Sequence, residues 1–362
     1  MKQILAFVLL ATLIAVDAAG QSSTVLLGSD RPPGRISFGS TFQRVVDLEQ
    51  SISETSIPLQ VFLPLGRSLG LRFLASGARA GGRDLTPITG LTDAYVSADY
   101  ALKFGSSSII VGVGANLPSG TSLTDEEFET SILLGRSPYN FNLPSFGEGF
   151  NVSPSVTVAF PIGNGLVVGA GLAYQMRGGF VLADGFDDEY VPGDEIIATG
   201  GLDVRLGPAA VASADVSLAL YGTDKIGETE VYQSGRTLAF SSQLRLYPGF
   251  DEMRLYVRYR VRQGGSLVLQ GVLVPAAQQA VPDQLDVRWH YKSQVRDRVS
   301  LGVLVQARHF TRSEFSRPLT VVDGGLEPTL SLIENVALSA RLVYSIGSFR
   351  GVDVGSGLII TL

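Results

Sequence analysis

A chain of 362 residues with a formal charge of −6, two histidines and no cysteine rules out several classes at once. It has no disulfide framework and no thiolate metal centre, and its acidic balance speaks against nucleic acid as a partner. Charged residues make up only 17 % of it, against roughly 25 % in a soluble protein, while glycines number 42 and mean hydropathy is +0.25.

Residues 1–20 read as a secretory signal. Lys2 gives a thin positive start, Ile4 to Val16 an apolar core, and Ala18-Ala19-Gly20 a cleavage site, so a mature chain would begin near Gln21. The run is too short for a transmembrane helix, which needs about 20 apolar residues, and no later stretch reaches that length. Residues 21–34 are expected to form a short periplasmic segment. An apolar chain without spanning helices points to a barrel, where every strand is paired and no backbone group is left unsatisfied in lipid.

From 35 to 362, alternation with a period of two recurs. Candidate strands fall near 35–49, 56–65, 69–80, 91–104, 106–117, 151–162, 165–176, 194–207, 209–221, 235–248, 253–262, 283–294, 299–311, 325–333, 335–347 and 351–362. In the seventh, Leu166, Val168, Ala170, Leu172, Tyr174 and Met176 share one face, and Gly169, Gly171, Ala173 and Gln175 the other. The predicted fold is all-β, a transmembrane antiparallel up-and-down β-barrel of about 14–16 strands.

Tight joins such as Gly66-Arg67-Ser68, Gly163-Asn164 and Gly207-Pro208 alternate with long ones at 81–90, 118–150, 181–193, 222–234, 264–282 and 312–324. That is the asymmetry of periplasmic turns and extracellular loops, and it sets both termini in the periplasm. A soluble sandwich would share the period, but not the loop asymmetry. Its polar face would also carry Lys and Glu, where this chain has Gly, Ser, Ala and Thr. The expected location is the Gram-negative outer membrane. Expected partners are its lipid, lipopolysaccharide and the barrel assembly machinery, which would have to accept Leu362 as the terminal residue.

Three stretches carry a resemblance: GLTDAYVSADYALKF (90–104), VGVGANLPSG (111–120) and FNLPSFGEGFNVSPSVTVAFPIGNGLVVGAGLAY (141–174). They are similar to the outer-membrane transporters of long-chain fatty acids and aromatic hydrocarbons, above all to relatives associated with phenol degradation. The resemblance implies passage of hydrophobic or aromatic molecules. Those fatty-acid transporters carry an N-terminal hatch, for which the residues from Gln21 to Arg35 leave too little chain.

One wall of the expected lumen is basic. Arg254, Arg258, Arg260 and Arg262 share a face, on which successive residues are about 7 Å apart, and Arg245, Arg288, His290, Lys292 and Arg308 have the same parity on neighbouring strands. Two readings stay open. The wall could select anions, or it could be a structural network with the lumen-parity acids Asp93, Asp99, Asp203, Asp215 and Asp286. In 118–150, Phe128, Tyr139, Phe141, Phe146 and Phe150 could contact an apolar ligand or simply pack over the barrel mouth. Acids cluster at Asp125, Glu126, Glu127 and Glu129 and at Asp184, Asp187, Asp188, Glu189, Asp194 and Glu195, without the ligand spacing of a calcium loop. No catalytic residue, metal site or cofactor is expected: Asp286 and His290 stand about 13 Å apart along a strand, too far for an acid–base pair. The expected function is passive passage of small, hydrophobic or aromatic molecules. The alternatives are a water-filled pore for small anions and a non-transporting structural or secretion-associated barrel.

Overall fold

The computed structural model describes residues 33–362, apart from 48, 49, 144, 250, 270, 277, 278 and 315. The expected signal, and the periplasmic segment as far as residue 32, lie outside the described residues. Sixteen long strands are described: β1 (Arg35–Val46), β2 (Ser51–Leu65), β3 (Leu69–Gly82), β4 (Ala94–Phe104), β5 (Ser107–Leu117), β6 (Asn151–Ile162), β7 (Leu166–Arg177), β8 (Glu195–Gly207), β9 (Ala210–Tyr221), β10 (Thr237–Leu246), β11 (Glu252–Arg262), β12 (Gln284–Arg296), β13 (Val299–Phe310), β14 (Leu319–Ile333), β15 (Val336–Gly347) and β16 (Arg350–Thr361). Each pairs antiparallel with its neighbours in sequence. β16 then pairs with β1 from Arg35↔Thr361 to Val46↔Arg350, so the sheet closes and leaves no edge for lipid to meet.

Alternation decides the faces. On β7, Val168, Leu172, Tyr174 and Met176 are exposed outward, while Gly169, Gly171 and Ala173 face in. The exposed apolar side chains continue around the barrel as Val111, Val156, Leu218, Phe240, Leu285, Val305, Leu342 and Val354. This is the band an outer-membrane barrel presents to lipid, and it places the protein in the outer membrane. Aromatic side chains gather toward the turn end of that face, with Phe104, Phe160 and Tyr247 exposed and Trp289 stacked on Tyr291 at 6.2 Å. An apolar hollow of about 390 Å³ between Val61, Phe73, Val96 and Val113 lies on the same outer side.

Some expectations change. β2 begins at Ser51 and β14 at Leu319, earlier than the apolar pattern reached, because their polar members Glu54, Ser56 and Asp323 face inward and keep the alternation. The joins do not alternate strictly in length: at the loop end, 47–50 and 348–349 are as tight as any turn. The join expected at 81–90 is mostly strand. Leu85–Leu91 pairs with β3 and runs into β4 through a bulge at Thr92 and Asp93. The turn end is made tight by Gly66, Gly105, Gly163 and Gly249, all with positive φ.

Three long loops build a second, five-stranded sheet beyond the barrel, in the order Val272–Pro275, Ser266–Leu269, Thr229–Gln233, Thr223–Ile226 and Tyr190–Val191. The loop 118–150 contains helix α1 (Asp125–Leu134), whose first turn is acidic and whose Glu127 Oε2 accepts the Thr124 N–H at 2.9 Å. The buried apolar cluster sits at the loop-end mouth rather than in mid-barrel. There Val45, Ile52, Ala80 and Ile88 of the wall meet Leu133, Leu134, Phe146, Tyr190 and Tyr232 of the loops.

Candidate functional site: the strapped lumen

The loop 118–150 is a strap across the mouth, and its anchors can be followed bond by bond. At its roots, Asp93 in the β4 bulge accepts the N–H of Gly120 and the N–H of Glu148, both at 2.7 Å, and the Nδ2 of Asn116 at 2.9 Å. One carboxylate thus closes both ends of the loop. A side chain on Gly120 would collide with the Phe146 carbonyl, so the backbone approach needs glycine there. Farther on, Asn142 N–H donates to Gln43 Oε1 at 2.6 Å and Leu143 N–H to Glu54 Oε2 at 3.2 Å, both on the β1–β2 wall. Arg308 on β13, on the opposite side of the barrel from β5, donates through Nη1 to the Pro138 carbonyl at 2.9 Å. Hence the strap lies inside the mouth and narrows it. Burial pushes the Glu148 carboxyl and the Tyr139 hydroxyl upward from their ordinary pKa ranges.

Four of the five loop aromatics belong to the packing of this strap. Phe128 contacts Phe186 at 5.4 Å; Tyr139 packs edge-on against Phe141 and against Phe349 of the β15–β16 turn; Phe146 is 2 % exposed. Phe150 does not join them: it stands exposed with the outward parity of β6, because it immediately precedes Asn151 and the strand alternates from there.

The predicted basic residues do face the lumen together, and their surroundings divide them. Toward the loops Arg260, Arg262 and Arg308 are buried. Arg308 binds Asp323 through Nε at 3.0 Å and Nη2 at 3.2 Å. Arg260 bonds Gln284, and the backbone N–H of Arg262 donates to Asp283 at 2.8 Å. Arg258 stands opposite Asp286, which in turn stands opposite Arg308. Arg177 and Glu195, a pair that sequence reasoning missed, bond at 2.6 Å with side chains 4 % and 0 % exposed. The signal was present in parity alone: both are lumen-facing at the loop ends of adjacent strands, in a register that only the structure supplies.

Toward the turns the wall is open to water. Arg254 is 45 % exposed and binds Glu252 through Nε at 2.6 Å and Nη2 at 2.8 Å. Arg288 and Lys292 are exposed on the lumen parity of β12. Arg245 Nε donates to Gln243 Oε1 at 2.8 Å and Arg288 Nε to Gln306 Oε1 at 3.2 Å. A glutamine carbonyl orients a guanidinium without cancelling its charge. The adjoining arc from β5 to β9 is small and neutral over much of its height, with Gly112, Ser155, Thr157, Gly171, Thr199 and Ser217 facing in.

The two histidines do not meet. His290 faces the lumen and bonds Glu327 at 3.1 Å, over Gly302, where a Cβ would stand 3.1 Å from both; His309 has the outward parity of β13 and bonds Thr320. The acidic loop residues act as hydrogen-bond anchors: Asp125 accepts the Gly185 N–H at 2.7 Å, and Asp194 the Arg177 N–H at 3.0 Å. Among the described residues no group of three or more His, Asp or Glu is placed to hold a metal ion.

No protein-family model matches the sequence, and no curated protein does. Among solved structures, the chain is similar to an outer-membrane channel of Pseudomonas putida F1 (10 % identity, 94 % of this chain and 100 % of that one, TM-score 0.46). It is also similar to OprB of P. putida (10 %, 91 % and 94 %, 0.47) and to an anion-selective porin of Comamonas acidovorans (11 %, 91 % and 98 %, 0.42).

Proposed function

We propose that the protein is a passive outer-membrane channel whose lumen favours small anions over cations. The observation that carries this reading is the turn-end wall of Arg245, Arg254, Arg288 and Lys292, in which Arg254, Arg288 and Lys292 are exposed to water and Arg288 is bonded through Nε to the neutral Gln306. Barrels of this strand number leave room for an aqueous passage, and a ring or wall of Arg and Lys lowers the barrier for anions through it. The strap sets the width of the mouth, and the wall below it sets the sign of charge admitted. Residues 1–20 would direct export. The outer band would sit in lipid and the loops among lipopolysaccharide.

The likeness of 90–104, 111–120 and 141–174 to transporters of aromatic hydrocarbons supports a second reading, passage of small aromatic molecules. For that, Tyr139 and Phe141 would have to be uncovered by movement of the strap. Liposome swelling separates the two: anionic solutes should enter faster than cations of the same size, and uncharged aromatic solutes should gain nothing over uncharged polar ones. Equal entry of anions and cations would remove the first reading.

A further inference from the structure

Two further lumen cations stand on the far side of the barrel from Arg245. On the inward face near the turn end, the register sets Arg35 of β1, Phe62 of β2 and Arg72 of β3 in one row. The Arg72 guanidinium lies over the Phe62 ring, 5.7 Å from its centre. Both arginines are exposed, and neither has an ion pair or hydrogen bond to another described residue. The acid side chain of this face nearest in register is Asp99 on β4, opposite Gly70 and so a diagonal step from Arg72.

One same-face step toward the loops, the wall changes character. Leu74 is 36 % exposed on the lumen side, an apolar side chain set against water. It stands opposite Tyr95 on β4. The Tyr95 hydroxyl reaches over Gly114 on β5, where a Cβ would collide with it, so the ring lies along the wall. Phe62, Leu74 and Tyr95 form an apolar strip that crosses β2, β3 and β4, with the two cations at its turn end.

We propose that this strip and its cations are a binding station for small aromatic carboxylates, of the benzoate class, on the way through the channel. The inference rests on the anion-passage reading and adds a chemical preference to it. Contact with a ring uses the face of the Arg72 guanidinium and leaves its N–H groups, which lie in the guanidinium plane, directed past the ring. A carboxylate matches paired N–H groups of that kind, and Arg35 adds its charge from the other side of Phe62. The body of the ligand then lies toward Leu74 and Tyr95. An aromatic body suits this wall, because rings in offset or edge-on pairs gain more than the area they cover. A bare oxyanion makes no use of the strip, and an uncharged aromatic makes none of the arginines. The station is separate from the wall of Arg245, Arg254, Arg288 and Lys292, on which the anion preference rests.

The test is chloride current through the full-length protein in planar bilayers, with benzoate or acetate added from the turn side. Both carry one carboxylate, so the ratio of their half-blocking concentrations reads the strip alone. Benzoate should act at about one-tenth of the acetate concentration, the effect of one good aromatic contact. Phe62→Ser/Leu74→Ser should bring that ratio close to one. Arg72→Gln should instead raise both half-blocking concentrations, by about tenfold, because each solute loses a charge-assisted hydrogen bond. Leu74→Ser alone, at an exposed position, should narrow the ratio by less and serves if the double variant does not fold. The station is overturned if benzoate and acetate block the natural channel alike, if the serine variants keep the benzoate advantage, or if Arg72→Gln leaves both concentrations unchanged. In each case an intact chloride preference would leave the anion-passage reading standing. A natural channel with no chloride preference would remove both.

Discussion

Replacing Arg308 with alanine should both destabilise the barrel and loosen its strap. Arg308 and Asp323 are 4 % and 5 % exposed and share a two-pronged contact of 3.0 and 3.2 Å, and the third arginine nitrogen reaches Pro138 of the strap at 2.9 Å. Removing the cation leaves a buried carboxylate without its partner, which costs about 3–5 kcal/mol. Removing both charges, as Arg308→Ala/Asp323→Ala, should recover most of that and leave only the lost strap bond, about 1–3 kcal/mol. Denaturant unfolding in detergent can follow Trp289, the one tryptophan of the chain, on the strand next to β13. Conductance of the single variant should be larger and noisier as the strap end is released. If the single and double variants unfold at the same denaturant concentration, the pair does not hold the wall as described.

Asp93→Ala removes the acceptor that closes both ends of the strap. Trypsin should then cut at Arg136 about tenfold faster, with Asp93→Asn in between because it keeps one acceptor oxygen. Asp224 lies in the second sheet, beyond the barrel, where burial pushes its carboxyl up to about 6 although the Gly193 N–H and the Tyr190 hydroxyl both donate to it. A carboxyl raised in the folded state binds its proton more tightly there. The stabilising effect is therefore complete below the unfolded value near 3.8 and is lost as pH rises through about 6, a span worth about 3 kcal/mol at most. Hydrogen exchange of residues 223–233 should slow on going from pH 7.5 to pH 5, and Asp224→Asn should abolish that dependence. Gly39→Ala places a Cβ on the Ser356 carbonyl at the β1–β16 seam and should destabilise closure by about 1–3 kcal/mol, read as an earlier unfolding midpoint.

Parity carried most of the fold. The side-chain period of a strand is two whatever its partners, so Val168 and Leu172 could be set outward and Gly169 and Gly171 inward without any tertiary knowledge. The same logic put Arg254, Arg258, Arg288 and Arg308 on one wall. Register and depth were not legible, because they depend on which residue of the next strand is paired. Whether Arg308 meets Asp323, or Arg245 meets Arg254, is a property of the ladder and not of either strand alone. That is why the basic wall read as one surface, when it is a buried tier near the loops and an exposed tier near the turns. The loop 118–150 was expected at the barrel mouth, but its clasp at Asp93 joins residues far apart in the chain, and its aromatic rings carried no sign of whether they would face a passage or each other. The outer sheet escaped because strands such as Tyr190–Val191 and Thr223–Ile226 are too short to show a period.

The most direct test of the lumen's charge is the reversal potential of single channels under a potassium chloride gradient. The natural protein should favour chloride, and Arg245→Ala/Arg254→Ala/Arg288→Ala should bring the potential toward or past zero with the barrel still inserted. A natural channel that favours potassium, or a triple variant with unchanged selectivity, would contradict the account.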